Sequence, residues 1–224
     1  MSLGSSLPID FRYIAYAIMF YQGVGNLFPW NAFITASSYY KQRFCGTQFE
    51  DTFENYFSIT FTLSQTIGLA LSVIYSKKIS LRNKIIWPLL CYSLIFLITT
   101  IMVTQTIDPS LLFWITLISL CMCGICGAIL SGGLFGLGAM FPGAYTGALM
   151  NGQGLAGLTV AVAGILTTFA AAPIDYCGDD GASNDDGCPQ NINYSALAYF
   201  IISTIVLLTC AVAYLFLGRL QFTK

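Results

Sequence analysis

Long uncharged stretches alternate along the chain with short polar ones. No Asp, Glu, Lys or Arg occurs in residues 13–40, 55–76, 85–107, 109–174 or 187–218. These runs hold 28, 22, 23, 66 and 32 residues, and a helix needs about 20 to cross a bilayer. Four runs fit one helix each, and the longest must hold two or three. The chain is expected to break at Phe141-Pro142-Gly143, because proline removes a backbone donor and glycine permits the turn. The expected elements are six transmembrane helices near 13–40, 55–76, 85–107, 110–140, 144–172 and 194–218, in one bundle over residues 1–224. The fold class is an all-α, polytopic membrane protein.

Charge placement decides between two and three helices in the long run. Residues 77–84 hold Lys77, Lys78, Arg82 and Lys84 and no acid, which marks a cytoplasmic loop by the positive-inside rule. Counting outward with two helices places the loop 41–54, Asp108 and the acidic loop 175–186 outside. Both termini then fall in the cytoplasm. Three helices would put the acidic loop inside and the C-terminal Arg219 and Lys224 outside. The first run is too long for a signal-peptide core and contains Pro29, so the first helix is expected to be an uncleaved anchor.

Composition narrows the function. Only 19 of 224 residues are charged and 56% are apolar, too few charges to cover a soluble surface. A net charge of −1 argues against nucleic acid as a partner. The chain has no His, which removes Ser-His catalysis and imidazole metal sites. No enzyme activity, no cofactor and no metal are expected. The tract Cys121-Met122-Cys123-Gly124-Ile125-Cys126 resembles a metal tract, but at membrane depth without His or acid it reads as small apolar packing. Cys45, Cys177 and Cys188 fall in loops expected outside, and Cys177 with Cys188 is a candidate disulfide. The Asp-rich loop between them does not match an EF-hand. Asn193-Tyr194-Ser195 is a glycosylation sequon abutting the last helix.

Polar residues inside the spans are costly in lipid and therefore informative. Pro29 should kink the first helix. At 100° per residue Gly23, Leu27, Trp30, Asn31 and Ile34 share a face that mixes an aromatic, an amide and aliphatics, as a site for a flat, partly polar ligand requires. Asn26 and Asn31 either line such a site or bond a neighbouring helix. Gln65, midway along the second helix, faces the same alternative. The fourth helix has small residues at 124, 128, 132 and 136, and the fifth at 144, 148, 152 and 156. Both read as packing faces, and leucine at Gly152 is expected to wedge helices four and five apart. Asn151 and Gln153 beside Gly152, with Gly154 following, suggest an inter-helix hydrogen-bond hub or a cavity wall. No span carries a charge away from its ends, so a neutral solute fits better than an ion.

Several of these residues together resemble a family. Leu27-Phe28-Pro29-Trp30-Asn31-Ala32-Phe33-Ile34-Thr35-Ala36, with Tyr39-Tyr40, resembles the first-helix signature of equilibrative nucleoside transporters. Gly127-Ala128-Ile129-Leu130-Ser131-Gly132-Gly133-Leu134-Phe135-Gly136 is similar to their fourth helix. Pro142 to Tyr145 and Met150 to Gly157 are similar to their fifth, and Gly218-Arg219-Leu220 to the end of their sixth. The resemblance implies a six-helix portion like the N-terminal bundle of a major-facilitator-type transporter, and facilitated diffusion of nucleosides or nucleobases by alternating access. It implies that Leu27, Trp30 and Ile34, with Gln65 and Ser131, bind substrate. It leaves Pro29, Asn31, Gly127, Gly136, Pro142, Asn151, Gly152, Gln153 and Gly154 to helix packing. Many relatives have Gln where Ser131 stands, so base recognition is expected to differ here. The family's five-helix C-terminal bundle is absent, and the expected partners are a nucleoside, the lipid bilayer, and a C-terminal half or full-length transporter. The plasma membrane is the expected location. The chain reads as an incomplete N-terminal half; the alternative is a truncated, non-transporting protein that modulates a full-length transporter.

Overall fold

The structure is a computed structural model that describes residues 9–75, 78–170 and 194–222. All its described elements are helices. They are α1 (Ile9–Thr35), α2 (Ser37–Phe44), α3 (Phe53–Ile74), α4 (Leu81–Val103), α5 (Pro109–Gly138), α6 (Gly143–Ala170) and α7 (Tyr194–Phe222). Five of these are long and apolar enough to cross a membrane, namely α3 to α7. Helix α1 has 27 residues but stands outside that set, because Gln22, Asn26, Pro29 and Asn31 interrupt its apolar sequence. The chain is thus an all-α, polytopic membrane protein.

The helix ends differ from the ends of the uncharged runs, for local reasons. Helix α4 begins at Leu81, where the Ser80 side chain accepts a hydrogen bond from the Asn83 amide, so Arg82 and Lys84 lie in its first turn. Helix α5 begins at Pro109, where Asp108 Oδ1 accepts from the amides of Ser110 and Leu111 at 2.9 and 3.2 Å. Proline in the first turn loses no helix bond there. Asp108→Ala should cost about 1 kcal/mol, a melting shift of about 2–4 °C for a chain of this size; an unchanged melt in detergent would refute the cap.

The first uncharged run is not one helix to residue 40. Helix α1 ends at Thr35, and α2 begins at Ser37 after a turn at Ala36. Packing explains the break. Tyr39, Tyr40 and Phe44 of α2 are buried; Tyr40 and Phe44 pack on Phe53 and Phe57 of α3, and Phe44 on Phe113 of α5, with ring centroids 5.1 to 6.3 Å apart. Aromatic pairs of this kind are worth about 0.5–1.5 kcal/mol each, and they hold α2 against α3 and α5. The chain turns again between Gly138 and Gly143, around Pro142.

Three helix pairs carry the bundle: α1 on α6, α3 on α5, and α4 on α7; α4 also packs on α5, and α1 on α7. The small-residue rows decide two of these pairs. A side-chain carbon on Gly124 would strike the Phe61 carbonyl and Ser64 of α3, and one on Gly68 would strike Ile125 and Ala128 of α5. Likewise Gly23 lies on the Leu149 carbonyl of α6, and Gly152 on the Phe20 carbonyl of α1. Helices α5 and α6, the fourth and fifth of the expected spans, therefore do not use their small rows against each other. Each row lies against a different helix, and a wedge at Gly152 would separate α6 from α1.

Cys45 is disulfide-bonded, while Cys91, Cys121, Cys123, Cys126 and Cys210 are free thiols within the helices. The candidate Cys177–Cys188 pair, the acidic loop and Asn193 of the sequon lie outside the described residues.

Candidate functional site

The glycine contacts between α5 and α3 draw these two helices together beside α1 and α4. A cavity of about 260 Å³ lies where the four meet. From α1 it is lined by Asn26, Leu27 and Trp30; from α3 by Phe61, Thr62 and Gln65; from α4 by Tyr92; and from α5 by Gly127 and Ser131. None of these residues is charged. A cavity walled by rings and amides suits a neutral, flat, partly polar molecule.

Its aromatic wall is a stacked pair. Trp30 and Phe61 lie with ring centroids 4.1 Å apart and planes 15° off parallel. The polar wall is partly committed to the protein. Asn26 and Ser131 face each other, with the Asn26 Nδ2 donating to the Ser131 hydroxyl at 3.0 Å or that hydroxyl donating to Asn26 Oδ1 at 3.1 Å. The Tyr92 hydroxyl donates to the Cys123 carbonyl at 2.8 Å. Gly127 makes room for that phenol, since a side-chain carbon there would meet the Tyr92 oxygen. No side-chain hydrogen bond from another described residue holds the Gln65 amide, which leaves its donor and acceptor to solvent or a ligand.

A second cavity of about 220 Å³ lies on the other side of Trp30, lined among others by Phe33, Ile34, Phe53, Glu54, Phe57 and Leu120. The five residues expected at a substrate site therefore divide. Leu27, Trp30, Gln65 and Ser131 line the first cavity, Ile34 lines only the second, and Trp30 is the wall between them.

The face expected on α1 also divides. Gly23 is buried on α6, and the Asn31 Nδ2 is buried without a partner among the described residues. The Asn31 carbonyl accepts the Thr35 hydroxyl at 2.9 Å. Pro29 is buried within α1, Pro142 is exposed at the α5–α6 turn, and Gly136 is exposed near Leu81. The suggested hub on α6 is not formed among the described residues. Asn151 is exposed, Gln153 is half-buried, and Gly154 has open space where a side chain would go. Neither amide lines either cavity. Gly152 faces α1, so at 100° per residue its neighbours on both sides point away from that interface.

A family profile described as "Nucleoside transporter" matches residues 117–224. Equilibrative nucleoside transporter 1 of Homo sapiens is 28% identical over 248 residues, covering 98% of this chain and 50% of the relative. Equilibrative nucleoside transporter 2 of Rattus norvegicus is 30% identical over 231 residues, covering 97% of this chain and 47% of the relative. Along nearly its whole length the chain is thus similar to nucleoside transporters. Equilibrative nucleotide transporter 1 of Arabidopsis thaliana is also similar, at 29% identity over 212 residues, 92% of this chain and 43% of the relative. The chain spans about half the length of the curated relatives it matches.

The cavity includes residues that the sequence did not single out for binding. Phe61 and Thr62 precede Gln65 by four and three positions, so helical periodicity could have placed all three on one face. Gly127 stands four before Ser131 in the same way. Tyr92 carries no signal, because a tyrosine in an apolar helix is ordinary until its hydroxyl is seen to reach another backbone.

Proposed function

We propose that this chain is the N-terminal part of a transporter that moves nucleosides, and the smaller nucleobases with them, down their gradients by alternating access. The observation that carries the reading is the uncharged cavity that unites Leu27, Trp30, Gln65 and Ser131. The names of the similar proteins support the substrate class. The cavity is just below the roughly 300–1,000 Å³ of ordinary small-molecule sites, a size that suits the base of a nucleoside and leaves the sugar to a wall outside these helices. That wall would come from a C-terminal half or a second polypeptide. The basic loop around Arg82 supports a cytoplasmic face there. The disulfide at Cys45 supports an oxidising, outer face for the loop after α2. Together they favour cytoplasmic termini, with the plasma membrane as the location.

Tritiated uridine and adenosine should bind the chain in lipid nanodiscs and be displaced by unlabelled nucleoside but not by glucose. Absence of displaceable binding by the folded chain would sink the reading. Gln65→Ala should weaken that binding about fivefold, the worth of one neutral hydrogen bond, with an unchanged melt. In transport-deficient cells this chain alone should give no uptake above empty vector. Robust uptake would overturn the view that a wall is supplied from elsewhere, and would point to two copies acting together.

A further inference from the structure

The Asn26–Ser131 contact divides the work of two side chains unequally. Serine has one hydroxyl, and that oxygen lies 3.0 Å from Asn26 Nδ2 and 3.1 Å from Asn26 Oδ1. Whichever of the two bonds forms, it occupies the serine's only proton or one of its lone pairs. The asparagine amide has two donors and two acceptor positions, so its outer N–H and outer lone pair remain. It is half-buried, lines the cavity, and belongs to the same helix as Trp30, one turn away. The stacked Trp30–Phe61 pair offers a flat surface, and an amide beside such a surface meets the edge of whatever stacks there.

We propose that Asn26, held in place by Ser131, is the side chain that reads the nucleobase edge. This rests on the nucleoside reading above. Ser131 Oγ faces the front edge of the amide, near both heads, so one outer N–H and one outer lone pair stay free on opposite sides, and the amide meets one group of the base, such as the N3–H of uracil. Ser131 is then a positioning residue. Its hydroxyl can accept from Nδ2 or donate to Oδ1, so it steadies the amide without fixing which head faces forward. A reversed amide presents its outer N–H on the same side instead, so the pair can read either a donor or an acceptor on the base.

The test crosses ligand with protein. Binding of uridine and of 3-methyluridine, which lacks the N3 donor, is measured on the full 224-residue chain in nanodiscs, with a melt recorded for each variant. Wild type should prefer uridine about tenfold, as one well-formed neutral hydrogen bond allows. Asn26→Leu should bind both alike. Asn26→Thr, which keeps a hydroxyl for Ser131 but has a single polar head, should do the same and covers the case where leucine prevents folding. Ser131→Ala should reduce the preference to about threefold, and Ser131→Thr should restore it, which a role in folding alone would not produce. Equal affinity of wild type for the two ligands overturns the inference, and so does an undiminished preference in a folded Asn26 variant. In either case the nucleoside reading survives. No nucleoside binding by folded wild type overturns both.

Discussion

Gly152→Leu is expected to leave no cooperatively folded bundle. A side-chain carbon at this position would fall against the Phe20 carbonyl and within 3.0 Å of the Val24 amide nitrogen. Both atoms are backbone, so no rotamer change relieves the contact. Overpacking costs typically about 1–3 kcal/mol where side chains can shift. Here alanine should already reach the upper end of that range, and leucine adds three carbons to a space that holds none. Phe28, Ala156 and Val160 form a small buried cluster along the same interface and would be pried apart with it. The measurement is a melt in detergent, with monodispersity by size exclusion. Gly154→Leu is the matched control, because nothing lies within 4 Å of the carbon it would add. Equal melts for the two leucine variants would show that α1 and α6 do not meet at Gly152.

Trp30→Ala should weaken nucleoside binding more than any other single change at the cavity. The indole is half of the stacked pair and the common wall of cavities of about 260 and 220 Å³. Removing it joins the two spaces and leaves Phe61 without its partner. Stacking a base on an aromatic side chain is worth about 1–3 kcal/mol, which predicts a loss of about 5- to 150-fold in affinity. The indole is only half-buried, so its loss should cost less stability than the roughly 3–5 kcal/mol of a fully buried aromatic. Trp30→Phe keeps a ring and should recover most of the binding. Unchanged affinity in a folded Trp30→Ala variant would remove this cavity from consideration as the base site.

Much of this architecture is legible in the placement of charge along the chain. Counting residues between charges locates helices well, because a bilayer punishes charge. It locates their ends poorly, because ends are set by caps such as Ser80 and Asp108 and by the burial of Tyr39, Tyr40 and Phe44. The small-residue rows on α5 and α6 announce close backbone contact, yet such a row says nothing of whose backbone approaches. The true neighbours, α3 and α1, depend on how distant segments assemble. Leu27, Trp30, Gln65 and Ser131 come together as a group through family resemblance, since periodicity relates residues only within one helix. The contact between Asn26 and Ser131 spans 105 positions and has no sequence signal beyond two polar residues in apolar surroundings.

The paired contacts of Gly23 on Leu149 and Gly152 on Phe20 also constrain movement. Each helix has a backbone carbonyl seated where the other has a glycine, so sliding by one residue would drive those carbonyls into side chains. Helices α1 and α6 are therefore geared at a fixed register and travel as one lever. Because α1 carries Asn26, Leu27 and Trp30, a tilt imposed anywhere along α6 arrives at the cavity as a displacement of three of its lining residues.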